Sequence, residues 1–197
     1  MKQPQVRNIS EKLLSDNWYI LKKYTYELQR HDGTWQKQER EVYDRGDGAV
    51  ILLYNTSKNS IILIRQFRMP MYVSGYKQLL IEAAAGLLEG SSPEARIIAE
   101  AEEETGYKID NIEKVFEAFM SPGSVTEKLH FYIAQYSDKD RQSDGGGLAD
   151  EGEDIEVMEW SFPDALAAIR NGEIMDGKTI MLIQHLALSG ILDPKNS

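Results

Sequence analysis

Two apolar runs restrict what this chain can fold into more than any other feature. Residues 48–55 read GAVILLYN and residues 60–68 read SIILIRQFR, with only the polar tetrapeptide TSKN between them. Bounded by such a turn, both read as central strands of a sheet. The rest of the chain must then cover that sheet.

The flanking segments supply the cover. WYILKKYTYEL (18–28) alternates as a strand, RHDGTW provides an Asp32-Gly33 turn, and KQEREVYDRG returns as a second strand, while the residues before Trp18 read as a polar lead. QLLIEAAAG (78–86) reads as one short strand, and a helix is expected from Pro93 to Thr105, stopped by Gly106. IEKVFEAFM and KLHFYIAQY read as strands joined by SPGSVTE. The polar, glycine-rich residues 138–154, DKDRQSDGGGLADEGED, read as a long mobile loop. IEVMEWSF returns to the sheet, and PDALAAIRNG and KTIMLIQHLALSG have helical spacing. Strands, helix, strands and helices without regular alternation predict an α+β fold and exclude a Rossmann domain. The expected form is an α/β/α sandwich with a mixed sheet between helices, plus N-terminal antiparallel strands. The expected division is 1–46 for those strands and 47–197 for the main domain.

Composition narrows the function classes. A net charge of -10 argues against tracking along nucleic-acid phosphates. An anionic substrate then requires metal ions or local arginines to offset the field. The chain has no cysteine, which excludes disulfides, thiolate metal sites and cysteine nucleophiles and makes a reducing cytoplasm the expected location. No stretch has the apolar length of a membrane span or a signal peptide, so a soluble protein is expected.

The expected helix carries Glu100, Glu102, Glu103 and Glu104. Glu100, Glu103 and Glu104 stand at i, i+3 and i+4 and share one face, whereas Glu102 points elsewhere. Like charges at this spacing cost about 0.2 to 0.5 kcal/mol per pair, and they sit at the helix end where the dipole disfavours anions. A divalent cation would reverse that penalty. A solvated acidic face is the competing reading, and the run of glutamates alone favours neither.

The surrounding residues bear on that choice. Glu100, Ala101, Glu103, Glu104, Gly106 and Tyr107 match the second half of the Nudix box, so the stretch resembles the loop-helix signature of that hydrolase family. The first half departs from it: the box is one residue short from Gly86, Ser92 stands near the place of a glutamate, and Ala99 replaces an arginine. In the family that missing pair braces the loop on the helix. Pro122, sixteen residues after Gly106, and LADEGEDIEV resemble the branch acting on nucleoside diphosphate sugars. The segments LSDN, REVYDRG, GAVILLYN, LIRQFR, GGG and DGKT have counterparts in a bacterial group of that branch.

The resemblance implies a fold, an activity and a set of roles. It implies Mg2+ held by Glu100, Glu103, Glu104 and Glu153 and by the carbonyl of Ala85, with Glu103 as a further ligand or orienting group. Glu151 is the implied general base, and Glu127 the alternative base or a substrate contact. Substrate is implied to lie against Ala85, Gly86, Leu87, Glu104, Gly152 and Glu153, with Arg68 on the diphosphate and Lys178 on sugar or phosphate. Trp18 would stack the base, with Glu39, Arg40 and Glu41 nearby. In that branch N-terminal strands cross to a second subunit, so a homodimer is expected, with Trp18, Glu39, Arg40, Glu41 and Arg68 serving the partner's site. The implied reaction is hydrolysis of GDP-mannose to GMP and mannose 1-phosphate. An ADP-ribose or ADP-sugar pyrophosphatase and a catalytically weak nucleotide-sensing module are the alternatives. Plainer roles stand beside these: an ion pair of Arg68 with Glu82, a core position for Trp18, and a first helical turn for Lys178. His31, His130 and His185 are scattered and read as structural.

Overall fold

The computed structural model describes residues 3–193. They divide into two compact units, one comprising the residues up to Asp47 with Phe119–Lys128, the other Gly48–Ala118 with the residues from Leu129 onward.

The first unit is a three-stranded antiparallel sheet in the order β1 (Val6–Asp16), β2 (Ile20–Gln29), β3 (Trp35–Asp44). The turn between β2 and β3 lies where the sequence places it, with the Thr34 N–H donating to Asp32 Oδ1 at 2.9 Å. β1 replaces the expected polar lead, pairing with β2 from Val6 opposite Leu28 to Asp16 opposite Ile20. Two register shifts interrupt it, the first spanning Asn8 with its positive φ of 53°, so the period-2 signal of a strand is broken. Phe119–Lys128 joins this unit through the Tyr43 N–H to the Ser124 carbonyl at 2.8 Å and the Thr126 N–H to the Tyr43 carbonyl at 3.1 Å. No residue of the three strands is buried.

The second unit is organised by β4 (Gly48–Asn55) and β5 (Ser60–Gln66), the two apolar runs. Both are buried almost throughout, as strands covered on two faces must be. They pair only near their connecting turn, Leu53–Asn55 with Ser60–Ile62, and diverge beyond it. A short helix, α1 (Met69–Val73), follows β5 and was not foreseen; Pro70 starts it, and Arg68 becomes its N-cap residue instead of the end of a strand. The predicted single strand over 78–86 is two strands: β6 (Leu80–Glu82) pairs with β5, and β7 (Ala84–Leu87) pairs with β4. The chain changes neighbour at Ala83, inside the wedge that β4 and β5 leave open.

After β7 come α2 (Pro93–Thr105), β8 (Glu113–Phe119), β9 (Lys128–Gln135), β10 (Glu156–Ser161), α3 (Phe162–Asn171) and α4 (Gly177–Ser189). The sheet order is β10-β5-β4-β9-β8, with β9 parallel to β4 and the other pairs of β4 and β5 antiparallel. Ala49, Ile51 and Leu53 share a core cluster with Ile97 and Ala101 of α2. Val50 and Leu52 alternate to the opposite face, and α4 packs on β4 there with Leu182, Ile183 and Leu186 buried. The mixed sheet between helices is the expected sandwich. Among the described residues no helix is long and apolar enough to cross a membrane.

The neighbour change at Ala83 needs a partner from outside the sheet. The Ala83 N–H donates to Thr179 Oγ1 at 2.7 Å, and that hydroxyl donates to Asp176 Oδ2 at 2.6 Å. Thr179 is fully buried. Thr179→Val keeps the shape but strands the N–H, so it should destabilise the fold by about 1 to 3 kcal/mol. Urea unfolding of the two proteins measures this, and equal midpoints would show that water replaces the hydroxyl.

Candidate active site

Local signals set the ends of α2. Ser92 Oγ accepts from the Ala95 N–H at 3.2 Å, Pro93 is at the helix start, and Gly106 closes the helix with φ 78°. Ser92, near the place of the family's glutamate, is therefore an N-cap. The buried side of α2 includes Ile97, Glu100, Ala101 and Glu104, the i, i+3, i+4, i+7 stripe by which a helix meets a core. Half of that stripe is acidic. Glu102 is exposed and Glu103 half-buried, so the helical period separates Glu102 from the other three as predicted.

Backbone approach and one arginine hold the acids. Glu104 Oε2 accepts from the Ala85 N–H at 2.9 Å. Burial, then the charge of Glu100, pushes the Glu104 carboxyl up to about 8; the Ala85 N–H pulls the other way and Glu153 adds to the rise. At Gly86 a Cβ would lie 1.7 Å from Glu100 Oε1, so only glycine lets β7 pass this closely. Arg96 was not singled out from the sequence. Its Nη2 lies 2.6 Å from Glu100 Oε1, its Nη1 4.0 Å from Glu103 Oε2, and its Nε–H donates to the Leu87 carbonyl at 3.2 Å.

The segment 138–154, expected to be mobile, is docked over its first part. The Gly146 N–H donates to the Glu104 carbonyl at 3.0 Å, the Gly147 N–H to the Glu103 carbonyl at 3.1 Å and the Gln142 N–H to the Gly106 carbonyl at 2.8 Å. These donors satisfy carbonyls that the end of α2 leaves without helical partners. A Cβ at Gly145 would meet the Glu104 carbonyl oxygen at 2.5 Å. Glycine content suggests flexibility, but here it permits close packing. Beyond Gly147 the chain closes on itself, the Leu148 N–H donating to Glu153 Oε2 at 2.9 Å and the Glu153 N–H to the Leu148 carbonyl at 3.3 Å. Ala149–Glu151 form a short 3-10 turn ended by Gly152. The side chain of Glu151 lies outside the described residues.

A second charged cluster stands on β6. Glu82, 3% exposed, receives Arg68 Nε on Oε2 at 2.7 Å and Lys178 Nζ on Oε1 at 2.5 Å, and Lys178 also meets Asp176 at 3.0 Å. Burial alone would push the Glu82 carboxyl up, but Lys178 and Arg68 hold it below the ordinary range. The ion pair of Arg68 with Glu82 is thus present, and Lys178 is in the first turn of α4. Arg68 is also among the charges acting on Glu104.

The remaining sequence candidates belong to the first unit. Trp18, between β1 and β2, is 84% exposed and not a core residue. Glu39 pairs with Lys23 at 2.7 Å, Arg40 donates to the Glu39 carbonyl at 2.7 Å, and Glu41 is exposed on the same strand. Glu127 lies 3.6 Å from Arg45. Of the histidines, His130 is buried with Nδ1 3.1 Å from Glu117, His185 meets Phe116 edge to face, and His31 is in the β2–β3 turn.

Among the described residues no three histidine, aspartate or glutamate side chains are arranged to hold an ion as they stand. Donor chemistry nevertheless fits a hard divalent cation. Glu100 and Glu104 are buried oxygen donors whose charges oppose each other, and Glu153 adds to the negative field. Bringing in a divalent ion would offset the repulsion from Glu100 and Glu153 that adds to the effect of burial on Glu104.

Comparison with known proteins gives a consistent picture. Residues 5–43 match the family model described as GDP-mannose pyrophosphatase NudK N-terminal domain. The chain is 55% identical over 183 residues to the GDP-mannose pyrophosphatase of Pectobacterium atrosepticum, covering 92% of this chain and 94% of that one. It is 52% identical over 190 residues to that of Escherichia coli strain K12, covering 96% and 98%. This chain belongs to the GDP-mannose pyrophosphatase family of Nudix hydrolases. The crystal structure of an ADP compounds hydrolase shares the fold, with a TM-score of 0.72, 98% of each chain covered and 16% identity. The family's N-terminal model spans β1 to β3, the unit whose first strand the sequence pattern conceals.

The raised Glu104 carboxyl makes a pH prediction for the metal-free protein. Its folded pKa of about 8 exceeds the ordinary 4.5, so its contribution to stability is full below the lower value and is lost as pH rises through the upper one. Within that window the loss is about 1.4 kcal/mol per pH unit. In EDTA, Tm should fall between pH 5 and pH 8, and Glu104→Gln should flatten the fall. Parallel curves for the two proteins would remove Glu104 as the source.

Proposed function

We propose that this chain is a magnesium-dependent hydrolase of nucleoside diphosphate sugars that converts GDP-mannose and water to GMP and mannose 1-phosphate. What carries the reading is similarity at 52% and 55% identity, over nearly the whole of each chain, to relatives named for that activity. The buried acidic stripe of α2 and the acidic segment docked on its end support it.

Nudix hydrolases generally use a divalent metal. In this reading Glu100, Glu103, Glu104 and Glu153, with the carbonyl of Ala85, hold magnesium. When bound, that ion polarises a phosphoryl oxygen and makes a coordinated water more acidic. Water attacks one phosphorus of the diphosphate, and the bond from that phosphorus to the bridging oxygen breaks. Glu151, on the short turn at the tip of the acidic loop, takes the water's proton, with Glu127 as the alternative base. Gly86, Leu87 and Gly152 contact the substrate in this reading, and Gly86 is the position where backbone passes close to Glu100. Arg68 and Lys178, anchored on Glu82, place cationic groups toward phosphate and sugar.

Trp18 stacks the guanine, with Glu39, Arg40 and Glu41 on the neighbouring strand. These residues, with Arg68, serve the site of a second subunit in a homodimer. A three-stranded sheet with no buried residue, and with Val6, Ile9 and Leu13 exposed, supports that assembly. The proposed location is the cytoplasm, where a chain without cysteine forgoes no disulfide.

The deciding experiment compares kcat/KM for GDP-mannose, GDP-glucose, ADP-ribose and ADP-glucose with magnesium. GDP-mannose should rank first. A higher value for ADP-ribose would overturn the substrate, and binding without product over hours would overturn the enzyme. Glu100→Ala should lower kcat by about 100-fold or more, since it removes a group on which charge stabilisation of the transition state depends. Circular dichroism should show the same fold, and unchanged turnover would defeat the assignment of Glu100.

A further inference from the structure

We propose that Arg96 is the positioning residue for the metal-binding carboxylates, supplying the brace that the family signature draws from the arginine and glutamate missing at Ala99 and near Ser92. The inference rests on the functional reading above.

Three contacts carry it. The guanidinium donates through Nε to the Leu87 carbonyl at the end of β7, reaches Glu100 Oε1 with Nη2 at 2.6 Å, and stands with Nη1 4.0 Å from Glu103 Oε2. One planar fork therefore ties the end of β7 to Glu100, one turn along the helix, and places a second cationic nitrogen within Coulomb range of Glu103, two turns along it. Lysine, a point charge on a flexible stem, cannot hold the loop carbonyl and the carboxylate together. Glu100 Oε1 is also confined from the other side, because the backbone at Gly86 leaves no room for a Cβ beside it. A carboxylate held between guanidinium and backbone has its plane set before any cation arrives, which is what outer partners of metal ligands do.

A guanidinium beside carboxylates could instead be a stand-in that a metal displaces. The Leu87 contact argues against displacement. It anchors Arg96 to the loop independently of the acids, so the guanidinium has a place to remain when a cation binds. Position also favours the brace: the side chain leaves the helix one turn before Glu100, on the side where β7 passes, whereas Ala99 carries no polar group at all.

The test is Mn2+ titration of the full-length protein without substrate, followed by electron paramagnetic resonance, for the parent, Arg96→Met and Arg96→Lys. Arg96→Met keeps the stem and removes the fork, and should raise the Mn2+ Kd by about 10 to 100-fold, the range typical of lost outer partners. Arg96→Lys should fall between. In turnover, Arg96→Met should recover at high magnesium with little change in KM for GDP-mannose. Equal or tighter Mn2+ binding by Arg96→Met would overturn the proposal, since a displaced competitor or a surface residue gives that result. If Arg96→Met does not fold, Arg96→Lys decides, and parental affinity in that variant overturns the proposal. Failure of the parent to bind Mn2+ at all would sink the functional reading itself, an outcome distinct from equal binding by parent and variant.

Discussion

The hydrogen bond from the Ala85 backbone to the Glu104 carboxylate is the constraint around which the second unit is arranged. A helix that buries two acids among its core residues needs polar partners at the point of contact, and a regular sheet strand has none to spare. Here the chain leaves β5 at Ala83, joins β4 for four residues and brings an N–H against the helix. Thr179 satisfies the group that this change of neighbour would strand. Gly86 then lets the strand continue past Glu100. The fork in the sheet, the threonine on α4 and the glycine all serve that one approach of β7 to α2.

Two buried glutamates show how differently the chain treats one residue type. Glu82 has a cation on each oxygen and is held ionised despite burial. Glu104 has a single backbone donor and the charges of Glu100 and Glu153 nearby, and its carboxyl rises to about 8. The first is compensated within the protein and behaves as a structural pivot for Arg68 and Lys178. The second has a backbone donor where the first has cations, and strongly perturbed carboxyls of that kind cluster at functional sites.

Much of this was legible from residues alone. The ends of α2 follow from Pro93 and Gly106, and β4 and β5 from uninterrupted apolar runs, because these signals are local and strong. Separation of Glu102 from Glu100, Glu103 and Glu104 follows from the helical period. β1 was concealed because it is an unburied strand broken by register shifts, so neither alternation nor apolarity marks it. The break at Ala83 depends on the divergence of two other strands, which no local pattern records. The cluster at Glu82 joins residues 96 positions apart and could be named only in part, as a partner for Arg68. Arg96 stands four residues before Glu100, a spacing at which helical side chains meet, but its contact with Leu87 depends on where β7 passes, which local spacing does not record.

The docking of the glycine run defines an arc. Gly147 is fixed on the Glu103 carbonyl, and the Ile155 N–H returns to the Gly146 carbonyl at 3.2 Å, so residues 148–154 leave and rejoin the scaffold at almost one point. Seven residues tethered at both ends reach no farther than about 12 Å from their anchor. An acid carried on that arc is confined to a small dome over the end of α2, at an effective concentration set by the length of the tether. Lengthening the arc would dilute that carboxylate, and lengthening the docked segment before it would move the anchor itself. The two halves of one polar loop are therefore under different rules, the first bound by geometry and the second by concentration.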